Sequence, residues 1–272
     1  MKISEDNPYA APALEKGLDI LEMLCKQPQG LSLSEIAQAC GRKVGEIFRM
    51  LDCLKRRGYV SQMAGSERMQ LTQRLFEMVH QFPPTQRLIS VCQPQMQTLA
   101  RQLGQSCHLA IFSAGEMLVI AQVDSPRSMG FAVRIGAKVD LLRSASGRVY
   151  LAFQPEPLHA SMLLQRSVPL SPEDMKLLEK RLLKIRHVGH VAQPSDFIRG
   201  VINMSCPILN HHGQAVAALT VPYLKWEGSE AAYPDTQAAR ELLSKTALAI
   251  TQEIGGMAAL DLPRFHGQFR GS

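Results

Sequence analysis

Apolar positions in the first part of the chain recur at helical spacing in three separate blocks. Leu14, Leu18, Leu21 and Leu24 or Cys25 form one stripe, which predicts a helix over residues 14–26. Leu33, Ile36, Ala37 and Cys40 form a second. Ser32 and Glu35 at its start fit a capping box, each able to satisfy an orphan amide, and Gly41 closes it where a left-handed backbone is cheap. Ile47, Met50, Leu51 and Leu54 line the inner side of a third helix. After Gly58 the texture changes to residues 59–63 as a strand, 64–68 as a turn and 69–71 as the returning strand. Three helices followed by a small hairpin make a winged helix-turn-helix, the unit that lays one helix in the DNA major groove.

Gln81, Phe82, Pro83 and Pro84 mark a boundary, because two prolines stop the preceding helix and stiffen the connection. The expected organisation is a first domain over residues 1–81, a linker helix over 82–104, a second domain over 105–256 and a loose tail over 257–272. In the linker helix Leu88, Val91, Cys92, Met96, Leu99 and Leu103 form the apolar side, and Pro94 is expected to kink it. Strands are predicted at residues 107–112, 117–123, 130–135, 201–209 and 215–223, and helices at 146–154, 156–166, 172–187 and 235–254. Strands grouped in hairpins with helices between the groups predict an α+β domain around an antiparallel sheet.

Charge sharpens the picture locally. The net charge of +6 fits an anionic partner. The first domain is nearly neutral overall, so the argument rests on a stripe. Arg42, Lys43, Gly45, Glu46 and Arg49 fall on the side of the third helix away from Ile47, Leu51 and Leu54. The first turns of a recognition helix are those that reach base edges. Lys55, Arg56 and Arg57 close the helix, suiting phosphate contact or the helix dipole. Arg68 at the tip of the wing suits the DNA backbone or minor groove. Closing a small core is the other role open to it.

These segments resemble the IclR family of bacterial transcription regulators. Ala13–Ile20 with Leu21 is similar to its opening helix. Leu33-Ser34-Glu35-Ile36-Ala37 and Phe48-Arg49-Met50-Leu51-Asp52-Cys53-Leu54 are similar to its two helix-turn-helix elements, and Met69-Gln70-Leu71-Thr72 to the end of its wing. Ser144-Ala145-Ser146-Gly147-Arg148 looks like the small-residue helix start of its effector domain, and Gly189-His190-Val191 with Gly200-Val201-Ile202-Asn203 like its late glycine-spaced segment. The resemblance implies a GAF-like C-terminal α/β effector-binding domain. It also implies self-association as a dimer or dimer of dimers, a double-stranded DNA operator, and a small organic-acid or aromatic effector. Carried over by position, effector contacts fall on Ala145, Ser146, Gln193, Asn203, Thr220 and Pro222. Here Gln193 stands where an acidic residue is common, Asn203 where cysteine is common, and Pro222 where a small hydroxyl can occur. Free amides at the helix opened by residues 144–147 would favour a carboxylate. Local hydrogen bonding inside a sheet is the other reading of Ser146, Asn203 and Thr220.

Other chemistry finds no support in the sequence. The six cysteines are scattered without Cys-x-x-Cys spacing, and Cys25, Cys40 and Cys53 read as small core residues. His211 and His212 read as a turn between strands, with no metal site expected. No nucleophile elbow, phosphate loop or dinucleotide fingerprint is present, so neither catalysis nor a cofactor is expected. No apolar run is long enough for a membrane span, and the polar, acidic start has no signal-type segment, so a cytoplasmic protein is expected. The functional expectation is a sequence-specific DNA-binding regulator modulated by a small molecule. The competing expectation is a winged-helix module for protein or RNA with a non-sensing dimerisation domain.

Overall fold

The structure is a computed structural model and describes residues 11–80, 83–166, 168–225 and 233–257. The tail expected after residue 257 lies outside the described residues, as do Gln81 and Phe82 of the expected boundary. The chain divides into two compact units, residues 1–86 and 87–272.

In the first unit α1 (Pro12–Leu24), α2 (Leu33–Ala39) and α3 (Val44–Arg56) pack through Ile20, Leu24, Ile36, Ala37, Ile47 and Leu51, with Val60 beneath them. The capping box is formed: Ser32 Oγ accepts from the Glu35 amide at 3.3 Å, and Glu35 Oε2 accepts from the Ser32 amide at 2.7 Å. The expected stripe of α1 is turned. Ile20 and Leu24 enter the core, whereas Leu14 and Leu18 are 63% and 49% exposed. A three-helix core this small takes one narrow strip of α1, and a leucine one turn off that strip stays outside. Cys40 is half-buried and packs against this core, whereas Cys25 is exposed and Cys53 half-buried outside it, so neither of these two is the core residue expected.

The wing is β1 (Val60–Gln62) and β2 (Met69–Leu71), antiparallel with Val60 opposite Leu71. Leu31 adds a bridge to Met69. Gly30, just before it, has φ +63°, and a Cβ there would sit 2.6 Å from the Met69 carbonyl oxygen, so glycine alone fits this close approach. A short α4 (Arg74–His80) follows, the helix that prolines 83 and 84 were expected to stop.

The second unit is built on one antiparallel sheet in the order β5-β4-β3-β8-β7-β6. Its strands are β3 (Cys107–Ser113), β4 (Glu116–Val123), β5 (Lys138–Asp140), β6 (Val191–Pro194), β7 (Val201–Leu209) and β8 (Ala215–Leu224). One face packs on α5 (Pro83–Leu103) and α9 (Thr236–Glu253) through Met96, Leu99, Leu109, Cys206, Leu219, Leu243 and Ile250. The other packs on α6 (Ala145–Ala152), α7 (Glu156–Leu164) and α8 (Pro172–Val188) through Ala110, Met117, Val149, Phe153, Leu178 and Leu182. Cover on both faces explains why β7 and β8 read as nearly continuous apolar runs.

Two expectations are corrected. Residues 130–135 form no strand; Ile135 is 64% exposed, and the sheet edge is taken by β5 after a turn at Gly136. Strand β6 was missed, being four residues long, at an edge and ended by proline. The linker helix also behaves differently. Prolines 83 and 84 open α5 instead of stiffening a linker, and its apolar side is core of the second unit, while Pro94 sits inside the helix where the sequence placed it.

Candidate functional site

Helix α3 presents its start to solvent. Lys43 is its N-cap residue, and Arg42, Lys43, Arg49 and Lys55 are exposed and form no ion pair among the described residues. An added Cβ at Gly45 would meet nothing within 4 Å, so the surface there is open. Three other predicted contacts are engaged within the protein. Glu46 accepts from Lys16 Nζ at 2.5 Å and ties α1 to α3; that bond holds its carboxyl below the usual range. Arg56 pairs with Asp52 one turn back at 3.0 Å. Arg68 folds away from the wing tip. Its Nε donates to the carbonyls of Gln29 at 3.2 Å and Gly30 at 3.3 Å, and its guanidinium pairs with Glu35 at 3.1 Å. Glu35 is the carboxylate of the capping box, so Arg68 locks the wing to the start of α2.

Phe48 was not singled out as a contact in the sequence. It is 60% exposed on α3, next to Arg49 and one turn after Val44, which is 48% exposed. Its ring stands beside the exposed cations of the helix start, and apolar contact with a thymine methyl is one use for it. The signal was its position one residue off the inward-facing Ile47.

In the second unit, pairing brings the predicted effector residues into rows. Gln193 stands opposite Asn203, and Asn203 opposite Pro222, across β6, β7 and β8. The next row on that face is Val191, Ser205, Thr220 and His108. It is the face covered by α6, whose buried Ala145 and Ser146 lie at the helix start.

Much of the polarity there is already used. Ser205 Oγ lies 2.8 Å from Thr220 Oγ1 and donates to the Leu219 carbonyl, so Thr220 is satisfied inside the sheet. The Ser144 hydroxyl takes the Gly147 amide at 3.0 Å and lies 3.1 Å from Ser146 Oγ, leaving the helix start one donor poorer than expected. Gly147 is there for packing, because a Cβ would overlap the Leu141 carbonyl. Gln193 accepts from Arg148 Nη1 and donates to the Arg143 carbonyl. Two groups stand apart. The half-buried Asn203 side chain makes no hydrogen bond among the described residues. His108, 4% exposed, has a buried Nδ1 without a partner, and burial pushes its imidazole down to about 4. Nothing in the local sequence around His108 signals this, since its neighbours in the row, Gln122 and Thr220, come from β4 and β8.

No three His, Cys, Asp or Glu side chains among the described residues group to hold a metal, and no helix there is long and apolar enough to cross a membrane.

A winged helix-turn-helix with an exposed basic helix start, in one chain with a sheet-and-helix unit carrying an internal polar row, is the layout of a ligand-binding transcription regulator. Residues 83–252 match the family model Bacterial transcriptional regulator IclR C-terminal, and residues 13–64 match the IclR helix-turn-helix domain. The chain belongs to the IclR family, with a helix-turn-helix DNA-binding domain and an effector-binding domain. It is similar to the HTH-type transcriptional regulator XynR of Escherichia coli, with 23% identity over 247 residues covering 89% of this chain and 97% of that one. It is similar to the HTH-type transcriptional regulator TtgV of Pseudomonas putida, with 24% identity over 260 residues covering 94% and 97%. Among solved structures, an IclR homologue from Microbacterium hydrocarbonoxydans complexed with 4-hydroxybenzoate shares the fold. Its TM-score is 0.72 at 20% identity, over 89% of this chain and 98% of that one. These relatives are transcription regulators and not enzymes.

Proposed function

We propose that this regulator reads its operator with the start of α3 and changes its operator affinity when a small organic or aromatic acid settles on the α6 face of the sheet. The observation that carries the reading is the exposed set Arg42, Lys43, Gly45, Phe48 and Arg49, where unpaired cations flank an open backbone and an apolar side chain. Cations supply phosphate contacts, Arg49 a fork for a guanine edge, and Phe48 an apolar contact. Glu46 and Arg68 instead tie elements of the unit together, and Arg56 pairs within α3.

On the sensor side, Asn203 and His108 are the polar groups that lack internal partners, with Gln193, Ser146 and Pro222 around them. A buried neutral imidazole and an amide suit an acid that also carries a neutral polar or aromatic part. The Microbacterium hydrocarbonoxydans relative is bound to an acid of this kind, 4-hydroxybenzoate. Self-association belongs to the same reading, because one winged helix reads few base pairs and a paired site multiplies discrimination. Exposed Leu14 and Leu18 are apolar surface that a second copy would cover.

Footprinting on genomic fragments enriched by the full-length protein tests this. The expected pattern is two protected segments related by a dyad, released by an organic acid that also raises the unfolding midpoint. Binding without dyad symmetry, and indifferent to Arg42→Ala with Arg49→Ala, would overturn it.

A further inference from the structure

The second unit also carries a cavity of about 390 Å³ that touches the effector rows only at Gln193 and Val191. It wraps the free edge of β6, which pairs with β7 alone. Its cations come from three helices, Arg148 of α6, Arg181 and Lys184 of α8 and Arg240 of α9, with the imidazole of His190 just ahead of β6 beside them. Helices α6 and α8 lie on one face of the sheet and α9 on the other, so these side chains meet only around the sheet edge.

No carboxylate lines this cavity, and Arg181, Lys184 and Arg240 form no ion pair among the described residues. Arg148 is held by the Leu142 carbonyl and by Gln193, both neutral acceptors, so its charge is fixed in place and not neutralised by them. Burial and then Arg181 disfavour the charged form of Arg148, while Asp196 and Asp140 outside the lining favour it; burial and then Arg240 disfavour the charged form of His190. Like charges gathered in a concavity with low-dielectric walls focus a positive potential, which an anion relieves.

We propose that this edge cavity is a second ligand site, separate from the effector rows, for a compact polyanion bearing at least two negative charges. Size and charge both set the class. The volume is that of a small-molecule site and not of a macromolecular groove. One carboxylate would satisfy a single guanidinium, whereas the permanent cations Arg148, Arg181, Lys184 and Arg240 surround the space. Guanidinium forks match phosphate and carboxylate oxygens equally well, so the shared chemistry is a phosphorylated or polycarboxylate anion.

Isothermal titration of the full-length protein at fixed ionic strength, with sodium pyrophosphate and with citrate in separate arms, tests the site. At least one is expected to bind with a micromolar dissociation constant, and acetate at equal concentration not to displace it. Pyrophosphate alone would assign a phosphorylated ligand, and citrate alone a polycarboxylate. Arg181→Gln with Arg240→Gln is expected to weaken binding at least about tenfold, as loss of charge-assisted hydrogen bonds predicts. Arg42→Ala with Arg49→Ala, which strips cations from α3, is expected to bind the same anion unchanged. The proposal is overturned if neither anion binds below millimolar concentration, or if the Arg181, Arg240 variant binds as wild type with a native circular dichroism spectrum. It is equally overturned if a short DNA duplex displaces the anion from the Arg42, Arg49 variant, which would make the patch a nucleic-acid surface.

Discussion

The two candidate surfaces are opposites in how they treat polar side chains. On α3 the candidate groups stand in solvent, and those without a structural duty have no partner. On the α6 face of the sheet most are buried and already bonded, and Asn203 and His108 are the exceptions. The difference matches what the proposed partners would require. Phosphates and base edges arrive from water and meet side chains that lose little by staying solvated until contact. A small buried ligand must replace bonds that the empty site needs for stability, since an unmade buried hydrogen bond costs roughly 1–3 kcal/mol. Exposed surfaces therefore tolerate substitution and lose affinity, whereas the buried face loses stability first.

Glycine substitution at one position in each region gives the sharpest contrast and the largest expected effect. Gly147→Ala drives a methyl into the Leu141 carbonyl at the start of α6, so the backbone must move. The expected cost is roughly 3 kcal/mol or more, read as a lower unfolding midpoint. A midpoint equal to wild type would mean that α6 does not pack on residue 141 as described.

Acid is expected to act on the buried region through His108. The folded protein holds this imidazole at about 4, against 6.5 in the unfolded chain. The unfolded state therefore takes up the proton first. Stability from neutral His108 is complete above pH 6.5 and drains as pH falls towards 4, by roughly 3 kcal/mol in all. His159 and His190 are also lowered by burial and add in the same direction, so the comparison must be with a variant. His108→Gln is expected to narrow the gap between unfolding midpoints measured at neutral and acid pH. An unchanged gap would remove His108 from this account.

On α3 the readout changes from stability to affinity. Arg49→Ala is expected to cost about 1–3 kcal/mol in operator binding, with an unfolding midpoint close to wild type. Arg68→Ala is expected to do the reverse, lowering the midpoint because the wing loses its tie to Glu35 and to the Gln29 and Gly30 carbonyls. Anisotropy titrations over several salt concentrations, paired with melting curves, separate the two. If the variants behave alike, the division between reading and supporting arginines fails.

The smallest effect is the counterpart of the first. Gly45→Ala meets nothing within 4 Å and lies inside α3, so it is expected to stabilise the protein by about 0.5–1 kcal/mol. If that backbone is approached by DNA, the same methyl weakens operator binding. Destabilisation would show that the start of α3 is less open than described.

What the sequence determined by itself is what near neighbours decide. The capping box of Ser32 and Glu35, the inner face of Ile47 and Leu51, the apolar runs of β7 and β8 and the basic start of α3 are set within a few residues, and family membership rests on their order. Tertiary structure decided which of those side chains remain available. Lys16 reaches Glu46, Arg68 reaches Glu35, Ser205 meets Thr220, and α1 turns Leu14 and Leu18 outwards, all through contacts between segments far apart in the chain. Strand β6 and the basic cavity around it were invisible for the same reason. An edge strand of four residues has too little periodicity to announce itself, and the cavity's cations belong together only because the sheet ends there. Periodicity records which side of an element is apolar; burial and pairing depend on what the rest of the fold packs against it.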